Sequence, residues 1–242
     1  MRAVVLAAGK GTRMGELTKN TPKPMIPISG KPLVEHVIRR MSAAGVTDFV
    51  LVTKYLSEKV MDYFGDGSKF GTRIEYVEQM DKYGTGAAFL SAKDLSRGEP
   101  VMMTYADVLT STKTYAQAIR LFNETGGDGI ITLNWVEDPC AGGAVVVDPD
   151  GKVVKIIEKP PKGEVPSNWN SAGILVFGPV VFDYLERLHP SPRGEYELPD
   201  AVNAMVSDGL AVYPSYLEGD WMDVGNPAAI PVAEEMLARE DS

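Results

Sequence analysis

The residues with the clearest chemical potential lie between Leu6 and Pro24, directly after the first apolar segment of the chain. This stretch, LAAGKGTRMGELTKNTPKP, combines three glycines with cations that include Lys10, Arg13 and Lys23. Glycine allows the backbone to turn with positive φ, and the amides of such a turn can hold phosphate oxygens. Arginine and lysine add the positive charge that a phosphate attracts. The stretch therefore predicts a binding site for a phosphate-bearing ligand.

The glycine spacing differs from the two best-known phosphate loops. A Walker loop has Gly-Lys followed by Ser or Thr at the start of a helix, whereas here Gly11 follows Lys10. A dinucleotide fingerprint has its last glycine one position earlier than Gly15 and opens a helix there, but residues 17–27 are rich in proline. This spacing disfavours an NAD-dependent oxidoreductase. Three glycines alone fit a purely structural turn equally well.

Other candidate residues follow later apolar segments, and each also has an ordinary structural explanation. Asp107 could cap the next helix, and Asp223 could be a turn residue. Glu158 and Lys159 could form a solvated ion pair on a hairpin edge, and Gln79 could be a plain loop amide. No one of these residues predicts a function by itself.

The composition limits the classes of function. The chain has 242 residues, 44% of them hydrophobic, and a net charge of −9, which disfavours a nucleic-acid-binding surface. No apolar stretch approaches membrane-spanning length, and the first residues lack the pattern of a secretion signal. Cys140 is the single cysteine, so no intrachain disulfide can form. We expect a cytoplasmic protein that binds neither membranes nor nucleic acid.

The apolar pattern predicts the elements that position these residues. We predict strands at 3–6, 49–53, 74–77, 101–105, 144–147, 153–157 and 174–177. We predict helices at 32–41, 56–64, 86–95, 180–188 and 227–239, with another after Leu198. The turn Asp148-Pro-Asp-Gly151 predicts a hairpin. The alternation predicts an α/β protein: a mostly parallel mixed sheet, helices on both faces and a hairpin-bearing second half.

The motifs, in their order, resemble those of the sugar-1-phosphate nucleotidyltransferases, which are also called NDP-sugar pyrophosphorylases. The matching segments are 6–14 with 22–24, 79–87, 104–107, 143, 158–160, 170–173, 191–198 and 221–225. Segment 191–198 is similar to glucose-1-phosphate thymidylyltransferases, and Gly84-Thr85-Gly86 is similar to short uridylyltransferases. One departure is Ala106, which stands before Asp107 where the family usually has glycine. The resemblance covers nearly the whole chain.

This resemblance implies the Rossmann-like nucleotidyltransferase fold as a single domain over 1–242. The nucleotide-binding half would span about 1–135 and the sugar-phosphate-binding half about 136–242. The implied reaction joins a nucleoside triphosphate and a sugar-1-phosphate to give an NDP-sugar and pyrophosphate. A phosphate monoester with a second pKa of about 6 is already an anionic nucleophile, so the reaction needs no general base. Positioning and electrostatics would then supply the catalysis.

The resemblance also implies residue roles. Arg13, Lys23 and Lys159 would be the catalytic cations. The nucleotide-binding residues would be Leu6, Ala8, Gly9, Gly11, Thr12, Arg13, Lys23, Gln79, Gly84 and Thr85. The sugar-phosphate-binding residues would be Gly143, Glu158, Lys159, Asn170 and Gly173. Asp107 and Asp223 would hold Mg²⁺, which prefers few carboxylates together with water and substrate phosphates.

Two other functions stay open at this point. One is a non-catalytic module of the same fold that binds a nucleotide or a sugar phosphate. The other is nucleotidyl transfer to a non-sugar phosphate such as phosphocholine. Gln79 and its neighbours favour a pyrimidine with an imide edge, hence UTP or dTTP as the partner nucleotide. The sequence leaves the sugar and the oligomeric state open.

Overall fold

The computed structural model describes residues 1–165 and 167–240. Its strands are β1 (Arg2–Leu6), β2 (Pro27–Ile28), β3 (Lys31–Pro32), β4 (Asp48–Thr53), β5 (Arg73–Glu78), β6 (Val101–Tyr105), β7 (Val108–Thr110), β8 (Gly129–Trp135), β9 (Gly143–Val147), β10 (Val153–Glu158), β11 (Trp169–Phe177), β12 (Val212–Tyr216) and β13 (Trp221–Asp223). Its α-helices are α1 (Leu33–Ala43), α2 (Ser57–Phe64), α3 (Thr85–Leu90), α4 (Lys93–Ser96), α5 (Thr112–Thr125), α6 (Val181–Glu186), α7 (Leu198–Ser207) and α8 (Ala229–Glu240). None of the helices in these residues is long and apolar enough to cross a membrane.

A nine-stranded sheet forms the centre of the protein, in the order β10-β9-β11-β6-β1-β4-β5, with β8 between β11 and β12. Strand β1 pairs in parallel with β4 and β6, β4 pairs in parallel with β5, and β12 does so with β8. Strand β11 pairs in an antiparallel manner with β6, β8 and β9. Strands β9 and β10 are also antiparallel. The predicted mixed α/β sheet is confirmed.

Helices cover both faces of the sheet because the strands are apolar on both sides. In β1, Ala3 and Val5 belong to one buried cluster, and Val4 belongs to the other. The first cluster includes buried residues of α1, α2, α5 and α8, and the second includes those of α3, α6 and α7. The predicted placement of helices on both faces is therefore confirmed.

The hairpin of the second half forms where the turn residues predict it. Strands β9 and β10 are antiparallel neighbours on either side of the turn. The Asp148 carboxylate accepts a hydrogen bond from the Lys152 amide at 2.8 Å, and the Asp148 carbonyl accepts one from the Gly151 amide at 3.0 Å. These bonds fix the turn locally, which explains why short-range sequence was sufficient to predict it.

The helices predicted with bounds all differ from the structure at one end or both, and two of these differences have a visible cause. The helix predicted at 86–95 is divided into α3 and α4, and near the division the Ser91 hydroxyl donates to the Ala87 carbonyl at 3.0 Å. Such a side-chain bond competes with the backbone ladder of a helix. The helix predicted from Pro32 begins one residue later, because Pro32 pairs with Pro27 in the β2–β3 hairpin.

Seven elements were not predicted from the sequence: α5, β2, β3, β7, β8, β12 and β13. Helix α5 begins after Ser111, whose hydroxyl accepts a hydrogen bond from the Thr114 amide at 3.3 Å. Strands β7 and β13 are three residues long and pair only with each other, so no periodicity marks them in the sequence. Strand β12 contains Pro214 and lies at the edge of the sheet, the position where a strand tolerates proline.

Arg2 connects the amino end of β1 to its neighbours. Its side chain is 1% exposed and donates hydrogen bonds to the Glu75 carboxylate of β5 and to the Leu95 carbonyl of α4. Arg97 also donates to Glu75, at 2.9 and 3.0 Å. The hydrogen bond from Arg2 is the main cause that lowers the pKa of Glu75.

We predict that Arg2→Met lowers the free energy of unfolding by about 1–3 kcal/mol, because it removes a buried charged partner of Glu75. Arg73→Met is the matched control: Arg73 is 57% exposed and pairs with Asp48, so its loss changes stability by roughly 0–1 kcal/mol. The measurement is denaturant unfolding at several pH values.

The pH dependence has a defined sign. Folding lowers the pKa of Glu75, so the stability that this carboxylate contributes is fully present above its ordinary pKa of 4.5. That stability is lost as the pH falls through the lower pKa of the folded state. The stability gap between the wild type and Arg2→Met therefore narrows in acid. The role of Arg2 is contradicted if Arg2→Met lowers the free energy of unfolding no more than Arg73→Met does. It is also contradicted if the loss caused by Arg2→Met grows in acid.

Candidate functional site

Two adjoining cavities lie at the carboxyl ends of β1 and β6. The chain leaves β1 toward β4 and β5 and then returns to β6 on the other side of β1, so these strands flank a switch point of the sheet. Open α/β sheets bind ligands at such points. The small cavity has a volume of about 210 Å³ and the large cavity about 520 Å³. The geometry thus provides room for two ligands side by side.

The small cavity contains most of the predicted nucleotide-binding residues. Its lining includes Leu6, Ala8, Gly9, Lys23, Gln79, Gly84 and Thr85. Arg13 instead lines the large cavity, and Gly11 and Thr12 line neither. The connection between β1 and β2 therefore contributes backbone and one cation, Lys23, to the small cavity.

Gly11 contributes to the site by leaving space for the Lys23 side chain. It has a φ of +64°, and a Cβ atom at this position would lie 2.7 Å from the Lys23 Cβ, closer than real atoms approach. Any larger residue would displace Lys23. Lys23 is 8% exposed, lies in the short 3-10 turn Lys23–Met25, and its ammonium forms an ion pair with the Asp107 carboxylate. The glycine loop thus holds a buried cation against an acidic residue.

Gly84 fixes the far side of the small cavity. Its φ is +125°, and an added Cβ would lie 2.4 Å from the Tyr196 carbonyl oxygen. Hydrogen bonds of 2.8 Å run from the Gly86 amide to the Tyr196 carbonyl and from the Tyr196 amide to the Tyr83 carbonyl. Segment 83–86 and the segment before α7 are therefore joined by backbone contacts that only glycine permits at position 84.

The large cavity contains the predicted sugar-phosphate-binding residues. Its lining includes Gly143, Glu158, Lys159, Asn170 and Gly173, together with Arg13, Asp107 and Asp223. Thr85, Tyr105, Asp107 and Glu195 line both cavities. The sequence segments that resemble the family therefore meet in space, although up to 210 residues separate Arg13 from Asp223 in the chain.

Glu158 and Lys159 are placed by the β9–β10 hairpin. Glu158 lies opposite Gly143, where a Cβ would come within 3.3 Å of the Glu158 Oε2. Lys159 has a φ of +46°, which is unusual for a side-chain-bearing residue, and its amide donates to the Gly142 carbonyl at 2.9 Å. Both charges line the large cavity, where the Lys159 ammonium lies 4.0 Å from the Glu158 carboxylate and Lys159 stays 51% exposed.

Asn170 lines the large cavity and has a buried side-chain oxygen without a hydrogen-bond partner among the described residues. The residue is 8% exposed, and its Nδ2 donates to the Pro139 carbonyl at 3.4 Å. Within the residues that the structure describes, its buried Oδ1 has no hydrogen-bond partner. Buried polar atoms are nearly always paired, so this oxygen fits a donor group on a ligand.

Asp107 and Asp223 are brought together by the short β7–β13 ladder. Asp223 pairs with Val108, and the Val224 amide donates to the Asp107 carbonyl at 2.9 Å. Asp107 does not cap α5, because Ser111 performs that function. A Cβ added to Gly225 would lie 3.3 Å from the Asp223 Oδ1 and 3.5 Å from the Arg13 guanidinium, so both side chains lie next to this glycine. The site thus combines two carboxylates with Arg13 and Lys23.

These carboxylates are suited to a cation that takes most ligands from elsewhere. Among residues 1–165 and 167–240, no group of three or more His, Cys, Asp or Glu side chains could hold a metal ion. Mg²⁺ commonly takes one or two carboxylates and completes its shell with water and substrate phosphates. The pair Asp107 and Asp223 fits this donor set.

The group of charges that surrounds Arg193 in the large cavity was not predicted from the sequence. Arg193 lies 3.1 Å from Glu195, 3.5 Å from Glu158 and 3.6 Å from Glu197. Glu197 is 5% exposed, and its burial raises its pKa. Segment 191–198 contains Arg193 with Glu195 and Glu197, and this local group of charges was the available signal in the sequence. Carboxylates outnumber the arginine around Arg193, and one of them, Glu158, also lies 4.0 Å from the Lys159 ammonium.

Known proteins resemble this chain over its length. It is 37% identical to the bifunctional protein GlmU of Methanococcus maripaludis, over 94% of this chain and 52% of that protein. It is 34% identical to the low-salt glycan biosynthesis nucleotidyltransferase Agl11 of Haloferax volcanii, over 100% of this chain and 67% of that protein. The chain therefore spans about half the length of the GlmU protein.

A solved structure and a family model agree with these relatives. A Bacillus anthracis protein assigned as a glucose-1-phosphate thymidylyltransferase, in complex with sucrose, matches with a TM-score of 0.88 at 27% identity, over 99% of this chain and 96% of that one. The Rossmann-like fold predicted from the motifs is confirmed. The family model described as nucleotidyl transferase matches residues 2–240. The chain therefore belongs to the nucleotidyl transferase family.

Proposed function

We propose that this chain transfers a nucleotidyl group from a nucleoside triphosphate to a sugar-1-phosphate, giving an NDP-sugar and pyrophosphate. The observation that carries the proposal is Asp107 with its partner Lys23, which lie where the small and large cavities meet. A triphosphate in the small cavity and a sugar phosphate in the large cavity would bring their phosphates together there. The relatives support the same reaction class.

The division of the chain follows from the same arrangement. We assign nucleotide binding to about 1–135, and in support all of the small cavity's lining except Glu195 comes from this half. We assign sugar-phosphate binding to about 136–242, which contributes most of the large cavity. Both halves share the central sheet, so we treat 1–242 as a single domain. We place the protein in the cytoplasm, since Cys140 is the single cysteine.

The phosphate of the sugar needs no activation by a base, because it is already an anion at neutral pH. The difficulty is the repulsion between this nucleophile and the triphosphate. Lys23 would bridge the α-phosphate and the incoming phosphate, and its burial strengthens the attraction since water screens it little. Arg13 would hold the outer phosphates that leave, and Lys159 would anchor the phosphate of the sugar. Catalysis would consist of positioning and charge stabilisation.

Asp107 and Asp223 would hold Mg²⁺ against the triphosphate. When bound, the ion would neutralise the negative charge that develops on the departing pyrophosphate. Lys23 now neutralises Asp107 and would turn to the phosphates once the substrates are in place. The sugar itself would meet Glu158, Asn170 and the backbone at Gly143 and Gly173, with the free Asn170 Oδ1 accepting from a hydroxyl.

The base would lie in the small cavity against the backbone of Leu6, Ala8 and Gly9. Gln79 and Gly84 line the same cavity, and a glutamine amide offers one donor and one acceptor. Uracil and thymine present a matching imide edge, so we propose UTP or dTTP as the substrate. A site built for one hydrogen-bonding edge rejects another because its own polar groups are left unpaired.

The proposal is tested by mixing the chain with Mg²⁺, each of UTP, dTTP, GTP and ATP, and a panel of sugar-1-phosphates. We expect pyrophosphate release that requires both substrates. A non-catalytic binding module would bind the substrates and release none. Phosphocholine belongs in the panel because it contains a phosphate monoester without a sugar.

The first prediction for this site concerns its cations. Arg13→Ala and Lys23→Ala should each lower kcat/KM by roughly 100-fold or more, the scale of one lost preorganised charge contact. Lys19→Ala is the matched control, since Lys19 is a 67% exposed loop cation paired with Glu16 and should leave kcat/KM unchanged. Initial rates of pyrophosphate release provide the measurement. Near wild-type turnover in either site variant contradicts its role.

The second prediction concerns the metal. A chelator should abolish activity, and added Mg²⁺ should restore it. Asp107→Asn and Asp223→Asn should each raise the Mg²⁺ concentration that gives half-maximal rate, because each removes an anionic ligand. Asp220→Asn serves as control: Asp220 is 48% exposed and pairs with Arg239. If the two site variants titrate with Mg²⁺ like the control, these carboxylates do not hold the ion.

The third prediction concerns the base. UTP or dTTP should give the highest kcat/KM with a fixed sugar-1-phosphate. Gln79→Ala should reduce the preference over ATP by roughly 10-fold or more, since it removes a pair of hydrogen bonds that discriminate between base edges. The readout is the ratio of kcat/KM values for the two triphosphates. ATP or GTP as the best donor overturns the pyrimidine assignment and leaves the reaction class intact.

A further inference from the structure

Tyr83 has a large aromatic side chain that lies at the rim of the small cavity and is exposed to solvent. The residue is 71% exposed, and it lines the cavity together with Leu6, Gln79 and Gly84. Exposure of an aromatic side chain forfeits the free energy that its burial would contribute. An exposed aromatic at the rim of a cavity therefore suggests a surface that a ligand covers.

The backbone holds this side chain in place. The Tyr83 carbonyl accepts the Tyr196 amide at 2.8 Å, and Gly84 is packed so closely on Tyr196 that no Cβ fits. The neighbouring Lys82 ammonium lies 4.8 Å from the Tyr196 ring and not over Tyr83. Within the part of the chain that the structure describes, the Tyr83 ring contacts no other aromatic ring or cation. Its backbone is therefore held in place, while both faces of its ring stay exposed.

The rest of the small cavity lacks another free ring. Its lining is mostly backbone and small side chains, such as Ala7, Ala88 and Ala106. Tyr105 also lines it, but its ring is packed against Gly173, where an added Cβ would lie 2.7 Å away. A planar ligand in this cavity therefore has one aromatic available to cover its outer face.

We propose that Tyr83 closes over the bound nucleobase and stacks on it, so that it contributes affinity for the nucleoside. This inference rests on the proposed function, because it needs a nucleotide in the small cavity. Stacking accepts any base, since every base has a π face. Tyr83 would therefore increase the affinity for all nucleoside triphosphates, while Gln79 would discriminate among them.

Calorimetric titration of the whole chain with Mg²⁺–UTP, without a sugar phosphate, tests the proposal apart from turnover. Tyr83→Ala should weaken UTP binding by roughly 5- to 150-fold, the range measured when a base loses one aromatic partner. Tyr83→Phe should bind like the wild type because it keeps the ring. Tyr216→Ala is the control, since Tyr216 is 45% exposed and lines neither cavity.

Inorganic tripolyphosphate is the second probe, because it carries the phosphates without a base. Its affinity should be the same in Tyr83→Ala and in the wild type. Equal UTP affinity in Tyr83→Ala and the wild type overturns the stacking role while the proposed function stands. A parallel loss of tripolyphosphate binding also overturns it, since the effect then lies in the loop and not in the base. A wild type that binds no nucleoside triphosphate refutes both proposals.

Discussion

The ion pair between Lys23 and Asp107 is the contact on which the rest of the site depends. Lys23 reaches Asp107 because Gly11 leaves no side chain in its path, and the Asp107 carbonyl accepts a hydrogen bond from the Val224 amide directly after β13. Both partners line the small cavity, and Asp107 also lines the large one. A single pair of opposite charges thus joins the glycine loop, the end of β6 and the last strand of the fold.

Charge is distributed unevenly for a protein with a net charge of −9. Arg13, Lys23 and Lys159 lie at the two cavities, and three carboxylates surround Arg193. The two groups meet at Glu158, which lies 3.5 Å from Arg193 and 4.0 Å from the Lys159 ammonium. Under the proposed function, an acidic chain would attract polyanions through a local field, which partial burial protects from screening by salt.

The sequence predicted those parts of the molecule that local patterns specify. The long strands, the Asp148 hairpin and the glycine loop were visible because periodicity and turn residues mark them. Strands β7 and β13 were missed, although their pairing is what brings Asp223 beside Asp107, because three residues carry no periodicity. The charges around Arg193 and the exposed Tyr83 also required the fold, since their partners lie in distant segments. The site residues could be named in advance only through the order of family motifs.

Isotope transfer tests the central claim most directly. A sugar-1-phosphate labelled with ¹⁸O in its phosphate is incubated with the chain, Mg²⁺ and UTP, and the products are analysed by ³¹P NMR and mass spectrometry. Attack of the sugar phosphate on the α-phosphorus predicts that all of the label appears in the NDP-sugar, one labelled oxygen bridging its two phosphorus atoms, and that the pyrophosphate is unlabelled. Label in the pyrophosphate, or release of free UMP or UDP without a sugar adduct, contradicts direct transfer between the two cavities.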